Sequence, residues 1–96
     1  MKSLKHLHDL ILTQVTLDWV KGTIQIILSN DYSQQTTSIS GEDVTAFEYS
    51  RKHPWGPSPC VNEVHIEVGA GFATLKIEMQ SGDLLVGTGA RFAVSQ

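Results

Sequence analysis

The sequence predicts an all-β protein with about seven antiparallel strands, forming a small sandwich or a curled, partly open barrel with a C-terminal three-strand meander. Apolar and polar side chains alternate along most of the 96 residues, as they do in strands with one buried face. Glycine-containing turn signals separate the alternating segments. We therefore expect one all-β domain spanning residues 1–96.

The N-terminal segment is the one part of the sequence with helical spacing. Between Lys2 and Leu10, the residues Leu4, Leu7 and Leu10 or Ile11 would share one helix face. We expect at most one short helix there.

A β-hairpin is predicted from TQVTLDWV and TIQIIL. A two-residue turn at Lys21-Gly22 places three apolar pairs on one face, namely Trp19 with Ile24, Leu17 with Ile26 and Val15 with Leu28. Lysine is not a favoured first turn residue, so a four-residue loop of the same parity is the alternative. The middle of the chain is predicted as strands in QQTTSIS and DVTAFEYSR, with loops at SNDYSQ and SGED.

Two further hairpins predict the C-terminal meander. A turn at Ala70-Gly71 gives the pairs Val68 with Ala73, Ile66 with Leu75 and Val64 with Ile77. A turn at Ser81-Gly82 gives the pairs Met79 with Leu84 and Ile77 with Val86. The polar side chains on the solvent face would be His65, Glu67, Lys76 and Glu78. Even positions stay apolar from Leu84 to Val94, so we expect one long final strand bent at Gly87 and Gly89.

The composition argues against several classes of protein. Apolar residues make up 41% and charged residues 18%, which is typical of globular proteins. The net charge of −3 argues against a nucleic-acid surface, because only Arg51, Lys52 and His53 form a basic cluster. No run approaches the ~18 apolar residues of a membrane span, and polar residues interrupt the N-terminus too early for a signal peptide. One cysteine cannot form an internal disulfide, which favours a cytoplasmic location.

The stretch KHPWGPSPCVNEV, residues 52–64, contains all three prolines, one of the two tryptophans and the only cysteine. Its prolines stiffen the connection, and Pro54 favours an extended His53. One interpretation is a structural corner in which Trp55 plugs one end of the core. The other is a preorganised recognition loop with Arg51, Lys52 and His53 at its rim. We favour the structural corner, and the two interpretations are compatible.

Two pairs of residues are candidates for metal or nucleophilic chemistry. His6 and His8 are two positions apart and could ligate a metal with one remote residue, although their spacing matches no compact metal motif. Cys60 and His53 could form a nucleophile and its base, but nothing in the sequence marks an oxyanion hole. We therefore interpret these residues as surface and loop side chains.

Asp9 and Glu63 are the candidates for paired acids in general acid–base chemistry. Asp9 is also a natural capping residue near the end of a short helix, and Glu63 could accept bonds from backbone donors in its own loop. Asn62 could bind local backbone groups in the same way. We favour these structural roles.

The phrases HDLILTQVTLDW, PWGPSPCVNEV and IEMQSGDLL carry a resemblance. The chain resembles a group of small bacterial proteins of uncharacterised function in which HD, PWGPS…NE and EMQSGD recur in this order. The resemblance spans His8 to about Leu85 and implies common descent, and it brings no assigned reaction. Pro59 and Cys60 depart from the group's pattern. In size and acidic charge the chain is also similar to immunity proteins of bacterial toxin systems, which implies a protein partner.

These observations predict a non-enzymatic binding module without a cofactor, whose partner is another protein or a second copy of the chain. Apolar residues placed on the solvent side support that expectation, namely Ile27, Phe72 and Leu85. The candidate binding residues are Arg51, His53, Trp55, Asn62, Glu63 and Asp9. The alternatives are a small metal- or carboxylate-dependent enzyme that uses the proline-rich loop, and a domain that binds a small ligand at one end of a curled sheet.

Overall fold

The computed structural model describes residues 2–30 and 35–95. This part of the chain forms nine strands and one short 3-10 helix, so the all-β prediction is confirmed. The 3-10 helix spans Lys5–Leu7, and the strands are β1 (Lys2–Ser3), β2 (Ile11–Asp18), β3 (Thr23–Ser29), β4 (Thr36–Glu42), β5 (Ala46–Tyr49), β6 (Val61–Val68), β7 (Ala73–Met79), β8 (Leu84–Gly89) and β9 (Arg91–Ser95). Most of the loop predicted at SNDYSQ lies outside the described residues. No helix in the described ranges is long and apolar enough to cross a membrane.

The strands form two antiparallel sheets that pack as an open sandwich. Sheet A has the order β1-β6-β7-β8-β5, and sheet B has the order β2-β3-β4-β9. The predicted C-terminal meander is the β6-β7-β8 part of sheet A. The chain passes from sheet A to sheet B at Ala90, between β8 and β9. Strands β5 and β2 each lie at the edge of their sheet.

The hydrophobic core lies between the two sheets, and the period-two pattern of the sequence supplies it. Sheet B contributes Ile24, Ile26, Leu28 and Ile39, and sheet A contributes Val61, Val64, Ile66, Leu75, Ile77, Met79 and Leu85. Leu7, at the end of the 3-10 helix, is fully buried in the same core. Burial of each large side chain stabilises the fold by about 1.5–3 kcal/mol before entropy is counted.

The β6–β7 hairpin has the predicted register. Val68 pairs with Ala73, and the pairing continues through Ile66 with Leu75 to Val64 with Ile77. The amide of Gly69 donates to the carbonyl of Phe72 at 2.8 Å, which closes the two-residue turn. At the N-terminal end of β6, a bulge at Asn62 interrupts the pairing and lets both Val61 and Val64 face the core.

The β2–β3 hairpin has the four-residue loop that was the alternative prediction. Leu17 pairs with Ile24 and Val15 with Ile26, so the two-residue turn at Lys21-Gly22 is wrong. Asp18 holds the longer loop, because its carboxylate accepts from the Lys21 amide at 2.9 Å and its carbonyl accepts from the Gly22 amide at 2.9 Å. Trp19 therefore lies in the loop, where it is exposed instead of facing the core.

The β7–β8 hairpin differs from the prediction by one residue. Ile77 pairs with Leu85, where the sequence analysis paired it with Val86. The cause is a three-residue loop at residues 80–82, with Gly82 in the left-handed region at φ +92°. A shift of one residue exchanges the faces of a strand, so Leu85 is buried and its expected place on the solvent side is wrong.

The final segment forms two strands in different sheets, so the expected single long strand is wrong. In β8 the odd-numbered residues face the core, whereas in β9 the even-numbered residues Phe92 and Val94 pack on it. The glycines permit close packing at the crossing, because a Cβ on Gly89 would lie 2.8 Å from the Glu42 carbonyl oxygen.

Candidate functional site

A cleft of about 640 Å³ opens between the edge of sheet B and the β5 side of sheet A. Leu12, Val15 and Leu17 of β2 line one wall, and Phe47 and Tyr49 of β5 line another. The rings of Phe47 and Tyr49 lie with their centroids 6.2 Å apart. The cleft is therefore apolar over much of its surface, as small-molecule sites usually are.

The β2 wall depends on a bulge at Thr13. Leu12 pairs with Leu28 while Gln14 pairs with Ile27, so Thr13 is the additional residue. The bulge brings Leu12 onto the same face as Val15 and Leu17, which plain alternation would not do. Val15 is 38% exposed and Leu17 is 47% exposed, although their pairing partners on β3 are buried. The sandwich is open over this face, where β2 and the four-residue strand β5 are the edge strands of their sheets.

The deep and closed parts of the cleft come from the meander and from the connection between β5 and β6. Met79 and Leu85, both buried, line its floor. Pro57 and Pro59 line the end formed by the connection. The proline-rich segment thus acts as a stiff wall of the cleft, and the ordering cost of that wall is low because proline has already restricted the chain.

Asp83 fixes the connection to the β7–β8 loop. Its Oδ1 atom accepts from the backbone amides of Lys52 at 2.6 Å and His53 at 3.1 Å, and from the Ser50 hydroxyl at 3.3 Å. Its Oδ2 atom accepts from the Ser81 hydroxyl at 2.8 Å. The carboxylate is buried among these donors, and two segments distant in sequence meet on one side chain.

The pKa of Asp83 is lowered from its ordinary value. Burial by itself raises this pKa, but the hydrogen bonds from Ser81, from the Lys52 and His53 amides and from Ser50 together outweigh burial. The charged carboxylate is therefore the form that the folded protein stabilises.

His53 adopts a left-handed backbone conformation, with φ +49°, so the extended conformation predicted from Pro54 is wrong. The physical reason is the pair of consecutive amides at Lys52 and His53, both of which point at the Asp83 carboxylate. The imidazole Nδ1 atom lies 3.1 Å from Asp83 Oδ2 without the alignment of a hydrogen bond. This arrangement places the ring of His53 in the cleft lining.

Arg51 also lines the cleft. Its side chain is exposed and has no ion pair or hydrogen bond among the described residues. Asp83 forms no ion pair with Arg51, and protein donors already bind both of its carboxylate oxygens. An unpaired guanidinium thus lies beside an apolar surface.

Trp55 does not plug the core, so the structural interpretation of this residue is wrong. Its side chain is 76% exposed and lies over the β7–β8 loop, where a Cβ on Gly82 would come within 2.6 Å of the ring. The Trp55 amide donates to the Ser81 carbonyl at 3.1 Å. The ring therefore stacks on a loop, and it is not part of the cleft lining.

The remaining candidate residues form a second polar group away from the cleft lining. His8 Nδ1 donates to the Asn62 carbonyl at 2.8 Å, and the Asn62 amide nitrogen donates to Glu78 at 2.7 Å. Asp9, with φ +72°, accepts a hydrogen bond from Gln80. The three sequence phrases that carry the resemblance thus meet in space, through bonds that hold loops together.

Glu63 pairs with His65 at 2.8 Å and does not accept the backbone bonds that were expected of it. The hydrogen bond from His65 lowers the pKa of Glu63 below its ordinary value. Glu63 and Asp9 bind different partners, so the structure does not show them as a catalytic pair.

The candidate metal and nucleophile sites, which the sequence analysis did not favour, gain no support from the geometry. Within residues 2–30 and 35–95, no three His, Cys, Asp or Glu side chains are arranged to hold a metal ion, and His6 and His8 have no third ligand. The ring of His53 lies beside Asp83, while Cys60 precedes β6 and pairs with Ile11 through an isolated bridge.

Of the six candidate binding residues, Arg51 and His53 line the cleft, and the other four do not. The sequence analysis missed the apolar walls, above all Leu17 and Tyr49. Leu17 was interpreted as part of an apolar hairpin face, and Tyr49 was only placed in a strand. The order of the strands shows that, within the described residues, both side chains are exposed.

A comparison with protein-family models and with curated proteins finds no match. A search of solved structures finds the crystal structure of an uncharacterized protein from Neisseria gonorrhoeae, with a TM-score of 0.77 and 10% sequence identity. The alignment covers 99% of this chain and 96% of that chain. The similarity shows that the fold occurs in both proteins.

Proposed function

We propose that this protein binds a small molecule in the cleft between β2 and β5. The observation that carries the proposal is an apolar cleft of about 640 Å³ with a few polar groups at one end. Sites for small ligands typically have volumes of about 300–1,000 Å³, apolar walls and few polar groups that orient the ligand. The sequence predicted such a domain as one of its alternatives.

The arrangement supports binding more than catalysis. Asp83 is the carboxylate in the lining, and Ser50, Ser81 and two backbone amides occupy its oxygens. Ser50 and Ser81 both donate to Asp83, so neither hydroxyl has His53 as its base. A binding protein without a bound cofactor fits this geometry, and the single cysteine is compatible with the predicted cytoplasmic location.

Binding can be tested with Nile red, a neutral dye whose fluorescence rises in apolar surroundings. We expect saturable binding of one dye per chain. Leu17→Asp places a charge in the β2 wall and should weaken binding at least about tenfold. The matched control is Thr16→Asp, since Thr16 is exposed and absent from the lining. Equal dye affinity in both variants, or no saturable binding by the parent, would remove the proposal.

The open edge of β2 supports a second candidate function, association with a second copy of this chain. Cys60 and Pro59 cover the edge at Ile11 and Leu12, but no strand pairs with it beyond Leu12 in the described residues. An unpaired edge of this kind can accept another strand. The exposed Trp19 and Val20 lie at the end of this edge.

Solution mass by light scattering tests this second candidate. If two β2 edges pair antiparallel, Thr16→Lys brings like charges together and should shift a dimer toward the monomer. Gln25→Lys is the matched control, because Gln25 lies directly opposite Thr16 on β3, which has partners on both sides. A parent protein that is monomeric at all concentrations, or a dimer that resists Thr16→Lys, argues against edge pairing.

A further inference from the structure

We propose that the ligand of the cleft is an amphiphile with one anionic head group, held by Arg51, and an apolar body that lies between β2 and β5. This inference rests on the proposed function and specifies its ligand class. It follows from the two charged side chains of the lining, Asp83 and Arg51, and from the protein donors that already bind Asp83.

The charged side chains at the polar end of the cleft, Asp83 and Arg51, do not favour a cationic ligand. Asp83 is only 4% exposed, and protein donors at 2.6–3.3 Å occupy its oxygens. It therefore offers no free acceptor to a ligand. Arg51 is a fixed positive charge with no partner among the described side chains. Of the two charged side chains in the lining, Asp83 and Arg51, the one that remains available to a ligand is thus the cation, which favours an anionic ligand.

A guanidinium is well suited to this task. Its planar fork donates two parallel hydrogen bonds to a carboxylate or to a phosphate, and it remains charged at all physiological pH values. Arg51 is an exposed residue of the lining, so its contribution is moderate and depends on salt. The shared chemistry is an oxyanion on an apolar chain, whether the oxyanion is a carboxylate or a phosphate.

The rest of the lining favours an apolar body. Leu12, Val15 and Leu17 face the cleft from one wall, and Phe47 and Tyr49 face it from the other. Three of the polar side chains of the lining are already occupied, because Ser50 and Ser81 both donate to Asp83. Each methylene that such walls remove from water raises the affinity about fourfold.

Isothermal titration with four probes below their micelle concentrations tests the proposal. The probes are decanoate, decyl phosphate, decanol and decyltrimethylammonium. We expect both anions to bind about three- to tenfold more tightly than decanol, and the cation to bind most weakly. Acetate alone should not bind measurably, and octanoate should bind about 16-fold more weakly than decanoate. The preference for anions should decrease as salt is added.

The variant Arg51→Gln tests the contribution of the ligand's head group separately from that of its apolar body. This variant should reduce the affinity for decanoate about three- to tenfold, and it should change the affinity for decanol much less. Lys52→Gln is the matched control, because it removes the neighbouring charge from a side chain outside the lining. Circular dichroism would show that both variants keep the fold.

The outcomes distinguish the two proposals. Equal binding of decanoate and decanol, or decanoate binding that survives Arg51→Gln, would overturn the head-group assignment while the cleft remains a binding site. Binding of acetate as tight as that of decanoate would overturn the apolar body. Failure of decanol, decanoate and Nile red alike would overturn the proposed function itself.

Discussion

Asp83 shows how one carboxylate can hold two distant parts of this chain together. Its five hydrogen-bond contacts come from Ser81, in its own loop, and from the segment between Ser50 and His53. A charged acceptor makes stronger hydrogen bonds than a neutral one, and two backbone amides would have no partner without it. The position of the cleft wall therefore depends on a side chain whose role the sequence analysis did not identify.

Replacement of Asp83 by Asn should lower the midpoint of thermal unfolding by several degrees. Asn keeps the size of the side chain but loses the charge that the Lys52 and His53 amides face. Because the pKa of Asp83 is lower in the folded protein than in the unfolded chain, its stabilising effect is complete above the ordinary aspartate pKa. That effect is lost as the pH falls through the lower folded-state pKa.

Calorimetry from neutral into acidic pH measures both effects. The parent should lose more stability on acidification than Asp83→Asn does. Glu67→Gln is the control, since Glu67 is exposed on β6. If Asp83→Asn and Glu67→Gln behave alike at neutral pH, the carboxylate does not anchor the connection.

Replacement of Trp55 by Ala should cost less than about 1 kcal/mol of unfolding free energy, because the ring is mostly exposed. Leu75→Ala provides the contrast, since it deletes a buried side chain and should cost about 2–5 kcal/mol. Guanidinium denaturation measures both. The parent's tryptophan fluorescence should also be readily quenched by acrylamide, because Trp19 and Trp55 are both exposed. If Trp55→Ala lowered the unfolding free energy as much as Leu75→Ala does, the Trp55 ring would have to lie in the core.

Turn chemistry decides which side chains each hairpin buries. The β6–β7 register was predictable because Gly71 lies in a two-residue turn, preceded by Gly69, between long alternating strands. The β7–β8 register was not predictable, because the sequence QSG allows a two-residue loop at residues 81–82 as readily as a three-residue loop at residues 80–82. In β2, the bulge at Thr13 changes the face of Leu12, and nothing in ILTQVTLD marks it.

The two glycine turns of the meander permit a matched comparison. Gly71 has φ +82° with open space around its Cβ position, whereas Gly82 has φ +92° with the Trp55 ring at 2.6 Å. Gly71→Ala should therefore cost about 1 kcal/mol from backbone strain, and Gly82→Ala should cost a further ~1–3 kcal/mol from the clash.

A double-mutant cycle isolates the contact with the ring. In a Trp55→Ala background the excess cost of Gly82→Ala should shrink toward the cost at Gly71, with some remaining because Pro54 is also close. Equal costs at Gly71 and Gly82 in the parent would show that the ring moves aside freely.

The open side of the sandwich, which is the origin of the cleft, depends on the order of all the strands. The sequence predicts which residues are apolar, and Val15, Leu17 and Phe47 fit a core as well as they fit a cleft. Their exposure depends on β2 and β5 being edge strands, and that order is set by pairings between residues distant in the sequence. Arg51 and His53 could be proposed in advance because they border the conspicuous proline-rich segment.

Hydrogen exchange should detect ligand binding on both sides of the cleft. In the free protein, amides of the interior strands β7 and β3 should exchange most slowly, and those of the edge strands β5 and β2 faster. Saturation with decanoate should slow exchange in β2 and β5 more than in β4 and β9, which do not line the cleft. Uniform slowing over the whole chain would indicate global stabilisation without a defined site.

The crossing at Ala90 has a consequence for the order of folding. Among the described strands, β9 pairs with β4 alone, through residues that are 49 to 57 positions apart, so its docking must await most of the chain. The hairpins β6–β7 and β7–β8 join near neighbours and can form early.

Phe92, which contacts Gly41 in one sheet and Gly87 in the other, should therefore make its contacts after the rate-limiting barrier. Phe92→Leu should accelerate unfolding and leave the refolding rate nearly unchanged in a stopped-flow chevron, whereas Ile77→Val should slow refolding.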